Sequence, residues 1–431
     1  MNDPDGLFQS KRARLLGLVG VAILAILALV SLGRSVQFAF LTPYGGIDFH
    51  SYWYSGLFVR QQTDPFAAYL SGKEPDSPVT FIGGQGAAPP RSGPLATTPA
   101  NTTPIVLLLT PFSWLPWPVA NAIWYIFNLM LVLILPWLAI RWLPPMKNLG
   151  IITTALFFLA FYALKGTRAA LGTGQTTLVV LTLMLLSMLI WNRSWLVSGL
   201  FLGVALSKYS IALPLFLYAL YKRKFKVVVV AVLVQLLSLF LLSTWTGSDP
   251  LSILQSNYQI MKRHSNMPGI YLAELFDPGS GLRLAAPVVL TVLFLAYLIW
   301  YSYRRPRPAR STSARSFFDR HLMAAPALWT LLVAYHRPYD GVLIIFFMAV
   351  VYFGFSEIGA WQLTPRQRGG LSLFVVFALA MLIVPYEQIN DFLPVSFSET
   401  LLDFTAELVV LTLGGMLAVT LWLMGRVGTK G

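Results

Sequence analysis

The 431-residue sequence predicts an all-α, polytopic membrane protein with about 12 transmembrane helices. Three observations predict it. Hydrophobic residues make up 56% of the chain and charged residues only 11%; the mean hydropathy is +0.68. Apolar runs of roughly 20 residues recur along the chain, each able to cross a hydrocarbon core of about 30 Å as a helix whose backbone bonds are all internal. There is no cysteine, so neither a disulfide nor a thiolate metal site is available.

In chain order, the first span runs from Leu15 to Gly33 behind Lys11, Arg12 and Arg14. No small-residue cleavage site follows it, so it reads as a retained anchor and not a signal peptide. A long first outer loop, residues 34–118, comes next, and long loops are commonly functional. Within it, Asp48 to Arg60 is an amphipathic segment, with Trp53, Leu57 and Phe58 expected in the membrane interface and Asp48 and His50 toward water or a cavity. Ser71 to Thr103 is rich in Pro, Gly, Ser and Thr and is expected to be irregular; the Asn101-Thr-Thr sequon inside it says little by itself. Pro104 to Pro118 is apolar, but Pro111, Pro116 and Pro118 keep it from spanning, so it is expected to lie along or dip into the membrane.

Eleven further spans follow, at Val119 to Ile140, Gly150 to Leu164, Thr176 to Trp191, Trp195 to Leu206, Ile211 to Tyr221, Val227 to Trp245, Leu284 to Tyr303, Leu322 to Ala334, Gly341 to Phe355, Leu371 to Pro385 and Phe404 to Met424. The stretch from Trp195 to Tyr221 reads equally as two short spans or as one broken or re-entrant element, because each half falls below full spanning length. One integral domain over residues 1–431 is the simplest organisation.

The formal net charge of +14 is mostly a topology signal. With the N-terminus cytoplasmic, most of the Lys and Arg residues fall on the same side, including the Lys222-Arg-Lys-Phe-Lys226 cluster, the Arg304 to Arg320 loop and the C-terminal Arg426 and Lys430. This predicts cytoplasmic termini, contact between the basic side and anionic lipid headgroups, and no nucleic-acid partner, since no reader motif accompanies the charge. The polar chemistry is then expected on the outer face.

Four places carry candidate functional residues. Lys208 lies between two apolar half-spans, where a charge is expensive unless paired or facing water. A phosphate would explain it; so would a lysine snorkelling to the outer interface from a short hairpin. Lys165 and Arg168 precede Gly172-Thr-Gly-Gln175, a glycine-rich turn before a helix that offers N–H groups to an anion. It lacks the Gly-Lys-Ser/Thr ending of a nucleotide loop. Ala334-Tyr-His-Arg-Pro-Tyr-Asp340 is predicted as an outer turn, with His336 suited to relaying a proton, Arg337 to clamping phosphate, and Asp340 to acting as a base or orienting the histidine. His264 and Asn266, with Lys262 and Arg263, are acceptor-binding candidates in an outer loop from Asn257 to Pro268. Asp48 and His50 lack a second carboxylate–histidine pair at ligand spacing, so no metal and no cofactor is expected.

Several of these stretches together resemble family 87 glycosyltransferases of the C-type, multi-spanning fold: Asp48-Phe-His-Ser-Tyr52 after the first span, Pro111-Phe-Ser-Trp-Leu-Pro116 before Trp124 and Asn128, Gly174-Gln175 opening an apolar helix, and Gly199-Leu-Phe-Leu-Gly-Val-Ala-Leu-Ser-Lys208 before Tyr209 and the basic Tyr221-Lys-Arg-Lys224 end. The likeness covers roughly Gly45 to Trp245, and the rest only in hydropathy. Family members commonly carry an aromatic-Pro-Pro step where this chain has Asn101-Thr-Thr-Pro104. The resemblance implies transfer of a sugar, mannose foremost, from a polyprenyl-phosphate donor to a lipid or glycan acceptor on the outer face of the plasma membrane, periplasmic or extracellular. It implies Asp48 as general base, with inversion at the sugar carbon, and His50, Gln175 and Tyr209 beside Lys208 among the substrate-binding residues. The competing function is a transporter or flippase of lipid-linked sugars, which broken helices and a membrane-level lysine also suit. Against it, no internal repeat relates the two halves of the sequence.

Overall fold

The computed structural model describes residues 10–42, 45–72, 101–143, 150–264, 271–277, 279–304, 312–334, 336–356, 363–383 and 395–426. The sequence-based expectations for Asn266, most of the Pro/Gly-rich part of the first outer loop and part of the Arg304 to Arg320 loop lie outside these residues. All regular structure among the described residues is helical. The helices are α1 (Lys11–Leu41), α2 (Ile47–Arg60), α3 (Pro65–Leu70), α4 (Thr103–Leu109), α5 (Trp117–Trp142), α6 (Ile151–Ala163), α7 (Lys165–Thr173), α8 (Thr177–Ile190), α9 (Trp195–Ala205), α10 (Tyr209–Tyr221), α11 (Phe225–Thr246), α12 (Pro250–His264), α13 (Gly281–Arg304), α14 (Thr312–Val333), α15 (Ile345–Ser356), α16 (Pro365–Ile383) and α17 (Val395–Arg426).

By length and composition, seven of the described helical stretches can cross a membrane, and the pair α6 and α7, bent by 49°, makes an eighth. Large apolar side chains stand exposed along them, among them Leu16, Ile26, Leu236, Phe240, Leu284 and Leu293. In water such a surface would drive aggregation; in lipid it is the expected outer coat. The chain is a multi-pass membrane protein.

Two compact units emerge, and the chain passes between them within α1, α5 and α7. One comprises Met1–Leu32, Pro136–Thr167 and Pro268–Gly431; the other comprises Gly33–Leu135 and Arg168–Met267. In the first, α15 is buried almost throughout. Its Tyr352 hydroxyl lies 2.8 Å from the Thr154 hydroxyl of α6 and its ring 5.1 Å from Phe157. Phe294 of α13 stacks on Trp329 of α14 at 5.6 Å, and Tyr297 donates to the Leu421 carbonyl of α17 at 2.6 Å.

In the second unit, α9 packs along α11 with the chains running in the same direction. A Cβ on Gly199 would lie 2.5 Å from Val230 Cβ, and one on Gly203 2.5 Å from Val234 Cβ. Glycines four apart let two backbones approach closely, the common device for joining helices in lipid where no hydrophobic effect is available. At the far end of α9 a 3₁₀ turn, Leu206–Lys208, reverses the chain into α10. Lys224, just past α10, donates to Asn192 Oδ1 at 2.6 Å and lies over the Trp191 ring, while Lys226 lies over Trp195. Both ends of the α9–α10 pair therefore sit at one basic face. Although its 27 residues are long and apolar enough for a crossing, this geometry makes it a re-entrant hairpin with Lys208 at the tip.

The first outer loop also departs from its expected place. Helix α2 forms where the amphipathic segment was expected, but Trp53, Leu57 and Phe58 are all buried. Helix α4 and the 3₁₀ segment Thr110–Trp114 cover them. Trp53 Nε1 donates to the Leu115 carbonyl at 3.0 Å and Arg60 to the Ser113 carbonyl at 2.6 Å. The apolar face meets protein instead of lipid because the proline-broken segment folds back over it.

Candidate functional site

The polar residues of the second unit converge on the glycine-rich turn between α7 and α8. Gly174 has φ +70°, and a Cβ there would lie 2.7 Å from Phe49 Cβ, so this position requires glycine twice over. Trp124 Nε1 donates to the Gly174 carbonyl at 2.8 Å, and Gly46 N donates to the Gly172 carbonyl at 3.0 Å. Phe49 is stacked on Trp124 at 4.8 Å and on Trp117 at 5.7 Å, with Phe112 edge-on at 5.4 Å. These contacts seat the first turn of α2, and with it Asp48, against the turn. Asp48 is half-buried in that first helical turn, where the helix dipole favours a carboxylate.

On the other side of the turn stands Lys208. Its ammonium donates to Thr177 Oγ1 at 2.6 Å and Gln175 Oε1 at 3.2 Å, and the residue is only 9% exposed. The snorkelling alternative is thereby removed: the side chain points into the protein, between α8 and the hairpin tip. Depth follows from helix length. The 11 residues of α9 rise about 16 Å at 1.5 Å per residue and the three of the 3₁₀ turn about 6 Å more, so the tip stands about 22 Å from the basic end of the hairpin, less than a core about 30 Å thick.

A chain of buried polar residues surrounds this seat. The Asn101 amide donates to the Tyr52 hydroxyl and, at 2.9 Å, to Thr176 Oγ1, while the Asn101 carbonyl accepts from Asn257 Nδ2 at 3.1 Å. Thr102 N donates to the Ser207 carbonyl at 3.0 Å and Thr102 Oγ1 to Gln235 Oε1 at 2.9 Å; Gln235 in turn donates to the Gly203 carbonyl at 2.7 Å. Thr103 and Ser238 share a hydrogen bond of 2.8 Å. Sequence reasoning passed over Asn101, Tyr52, Thr176, Thr177, Gln235 and Asn257. Gln235, alone in an apolar span, and the Thr176–Thr177 pair were the available signal, because polar groups inside a membrane call for partners.

His50 was expected toward water or a cavity, and of these water is excluded: the residue is 5% exposed, edge-on to Trp117 at 4.8 Å and beside Tyr54. Burial lowers its pKa from 6.5 to about 4, so the ring is neutral. Helix α2 is enclosed on nearly every side, which leaves this position no watery face. Arg168 is half-buried on α7 and Tyr209 is 47% exposed at the start of α10. The predicted loop from Asn257 is helical to His264, because Asp249 caps α12 through Ser252 N at 3.0 Å ahead of a regular apolar pattern. The backbone of His264 ends that helix; its side chain lies outside the described residues.

The first unit holds a separate cluster. His336 is fully buried, and its Nδ1–H donates to Asp340 Oδ2 at 3.0 Å. Asp340, 3% exposed, also accepts from Arg337 N at 3.4 Å. Asp340 thus orients the ring through Nδ1, and Nε2 is buried with no hydrogen-bond partner among the described residues. A 3₁₀ turn, Pro338–Ile344, carries the arrangement, and the start of α7 packs on it: a Cβ on Gly166 would lie 3.0 Å from the Pro338 carbonyl. Lys165, half-buried, adjoins that contact in sequence.

Fold and polar clusters define a multi-pass, all-helical membrane protein that keeps ionisable groups inside an apolar body. Over residues 101–326, more than half of the chain, it matches the sequence model of glycosyltransferase family 87, and it belongs to that family. The match includes Lys165, Arg168, Gln175, Lys208, Tyr209 and His264, and leaves Asp48, His50, His336, Arg337 and Asp340 outside its bounds. Comparison with curated proteins and with solved structures gives no match.

Proposed function

We propose that this glycosyltransferase moves a hexose, mannose foremost, from a polyprenyl-phosphate donor to a hydroxyl of a lipid or glycan acceptor. The observation that carries the reading is the seat of Lys208: a buried ammonium held by Thr177 and Gln175 at a hairpin tip, recessed from the membrane face, suits a phosphate delivered from within the bilayer. Charge-assisted hydrogen bonds to phosphate oxygens are strong there because little water competes. Arg168 and the glycine-rich turn add positive potential on the same side. The tip is remote from the basic collar of Arg193 and Lys222–Lys226, and basic residues favour the cytoplasm. The reaction then belongs on the periplasmic or extracellular face of the plasma membrane, with both termini cytoplasmic.

In this scheme Asp48 takes the proton of the acceptor hydroxyl as its oxygen attacks the anomeric carbon, and the bond to the lipid phosphate breaks toward Lys208. The displacement is direct and inverts the anomeric centre; no metal or cofactor takes part. The His336–Asp340 pair favours a second reading of the base, since a histidine oriented by a carboxylate with its other nitrogen open is built to accept a proton. Arg337 and Lys165, of the same unit, would then serve as phosphate clamps; with Asp48 as base, His264 would be an acceptor contact.

The test is transfer of radiolabelled mannose from polyprenyl-phosphate-mannose to membrane acceptors by wild type, Asp48→Asn and His336→Gln. Loss in Asp48→Asn alone supports Asp48 as base; loss in His336→Gln alone moves the role to the histidine. If folded wild type transfers nothing, mannose or the transfer reaction is wrong, and movement of lipid-linked sugar becomes the assay. A product that retains the donor's anomeric configuration rules out direct displacement.

A further inference from the structure

Asn101 sits where two parts of the proposed site meet. Asp48 and Tyr52 are four residues apart on α2 and so share one face of the helix. The Asn101 amide donates one bond to Tyr52 and the other, 2.9 Å long, to Thr176. Thr176 lies between Gln175 and Thr177, the two residues that accept from Lys208. Both amide protons are thus used, one on the helix that carries Asp48 and one on the turn that seats Lys208. Asn101 is 5% exposed and Thr176 wholly buried, while Asn257 on α12 holds the Asn101 backbone from behind at 3.1 Å. An amide bridge buried this deeply is stiff, since leaving any of its partners unsatisfied away from water is costly.

We infer that Asn101 is a positioning residue for sugar transfer, setting the separation between the proton-accepting carboxylate of Asp48 and the phosphate-holding ammonium of Lys208. The inference rests on the roles proposed above for those two residues. It also assigns the Asn101-Thr-Thr sequence an internal structural task, because an amide nitrogen buried with two hydrogen bonds is closed to glycan attachment.

The test is steady-state transfer by the full-length protein in lipid nanodiscs, with polyprenyl-phosphate-mannose as the probe. Asn101→Ala is expected to lower kcat about 100-fold with the donor KM changed less than about threefold, the signature of misplaced reacting groups. Asn101→Asp is nearly isosteric and accepts from the Tyr52 and Thr176 hydroxyls. It is expected to recover most of kcat while raising the donor KM, because its charge opposes the phosphate. Tyr52→Phe combined with Asn101→Ala is expected to add no further loss, as for groups acting as one unit. Wild-type kcat in Asn101→Ala, or losses in the two single variants that multiply, overturns the inference. A merely structural role would lower thermal stability and leave kcat and KM of the folded fraction unchanged. Should Asn101→Ala not fold, Thr176→Val removes one end of the bridge and carries the same expectations. Asp48→Asn is run alongside. Full transfer by that variant takes the underlying assignment down together with this one, whereas its loss beside wild-type kinetics in the Asn101 variants overturns this one alone.

Discussion

The Lys208 cluster and the His336 cluster both keep ionisable groups inside an apolar helical body, by opposite means. Around Lys208 the partners come from distant parts of the chain: Gln175 and Thr177 from the turn before α8, and beyond them Asn101, Tyr52 and Asn257. Around Asp340 two partners come from one short turn, His336 four residues away and Arg337 three. A seat built from several helices exists only when the tertiary structure is complete, and it can be tuned by changes far from the charge. A local turn carries its own carboxylate with it. The difference teaches that the distributed cluster suits binding something large that must fit between elements, while the local one suits orienting a single proton-transfer group.

The largest expected effect would decide between the two. Asp48→Asn should lower transfer by about 10³-fold, within the range for loss of a positioned general base, and His336→Gln by about tenfold. The reverse order, read in parallel initial-rate assays, would move the chemistry to the local cluster. Next comes a pH effect confined to the distributed region. Above pH 6.5, His50 is neutral both folded and unfolded and contributes nothing to the pH dependence. Between 6.5 and about 4 the unfolded chain takes the proton and the folded one does not, so stability falls as pH falls, by about 3 kcal/mol in all. Thermal unfolding across this window should show the slope in wild type and its loss in His50→Gln.

Lys208→Met should raise the donor KM by about 30-fold, the loss of one charged hydrogen-bonding partner, with a smaller change in kcat. An unchanged KM would mean that phosphate is held elsewhere. The smallest effect is on stability: Gly174→Ala should cost about 2 kcal/mol, from the positive φ and the encroachment on Phe49, measured as a shift of the thermal midpoint. A neutral result there would loosen the link between α2 and the glycine-rich turn.

How far the site was legible in the sequence follows the same division. The His336–Asp340 pairing was readable because partners four residues apart need no knowledge of the fold. Lys208 was readable as an anomaly, a charge between apolar half-spans, but its acceptors were not, since a separation of 31 positions between Thr177 and Lys208 could close in many ways. The helical class followed directly from hydropathy, as only helices or barrels satisfy their backbone in lipid. Surface exposure was read less well. Trp53, Leu57 and Phe58 were placed at an interface because the segment covering them, within Pro104 to Pro118, looked like a membrane surface element on its own. Hydropathy cannot distinguish a face turned to lipid from one turned to another apolar helix. Asn101 was hidden for a related reason: in an isolated sequence an asparagine before two threonines looks like a surface loop, and only the arrival of Tyr52 and Thr176 makes it an interior strut.

The re-entrant course of α9 and α10 bears on how the protein is made. A hairpin that enters and leaves by one face cannot be threaded as an ordinary crossing; it must be inserted as a pair, tip first, with an ammonium at its leading end. Carrying that charge into hydrocarbon is costly until Thr177 and Gln175 are in place to receive it. Since the chain emerges from the ribosome N-terminal end first, α8 and its turn are available before the hairpin is complete. The order of residues along the chain thus doubles as an assembly order, in which the receptor for Lys208 is laid down before the lysine arrives.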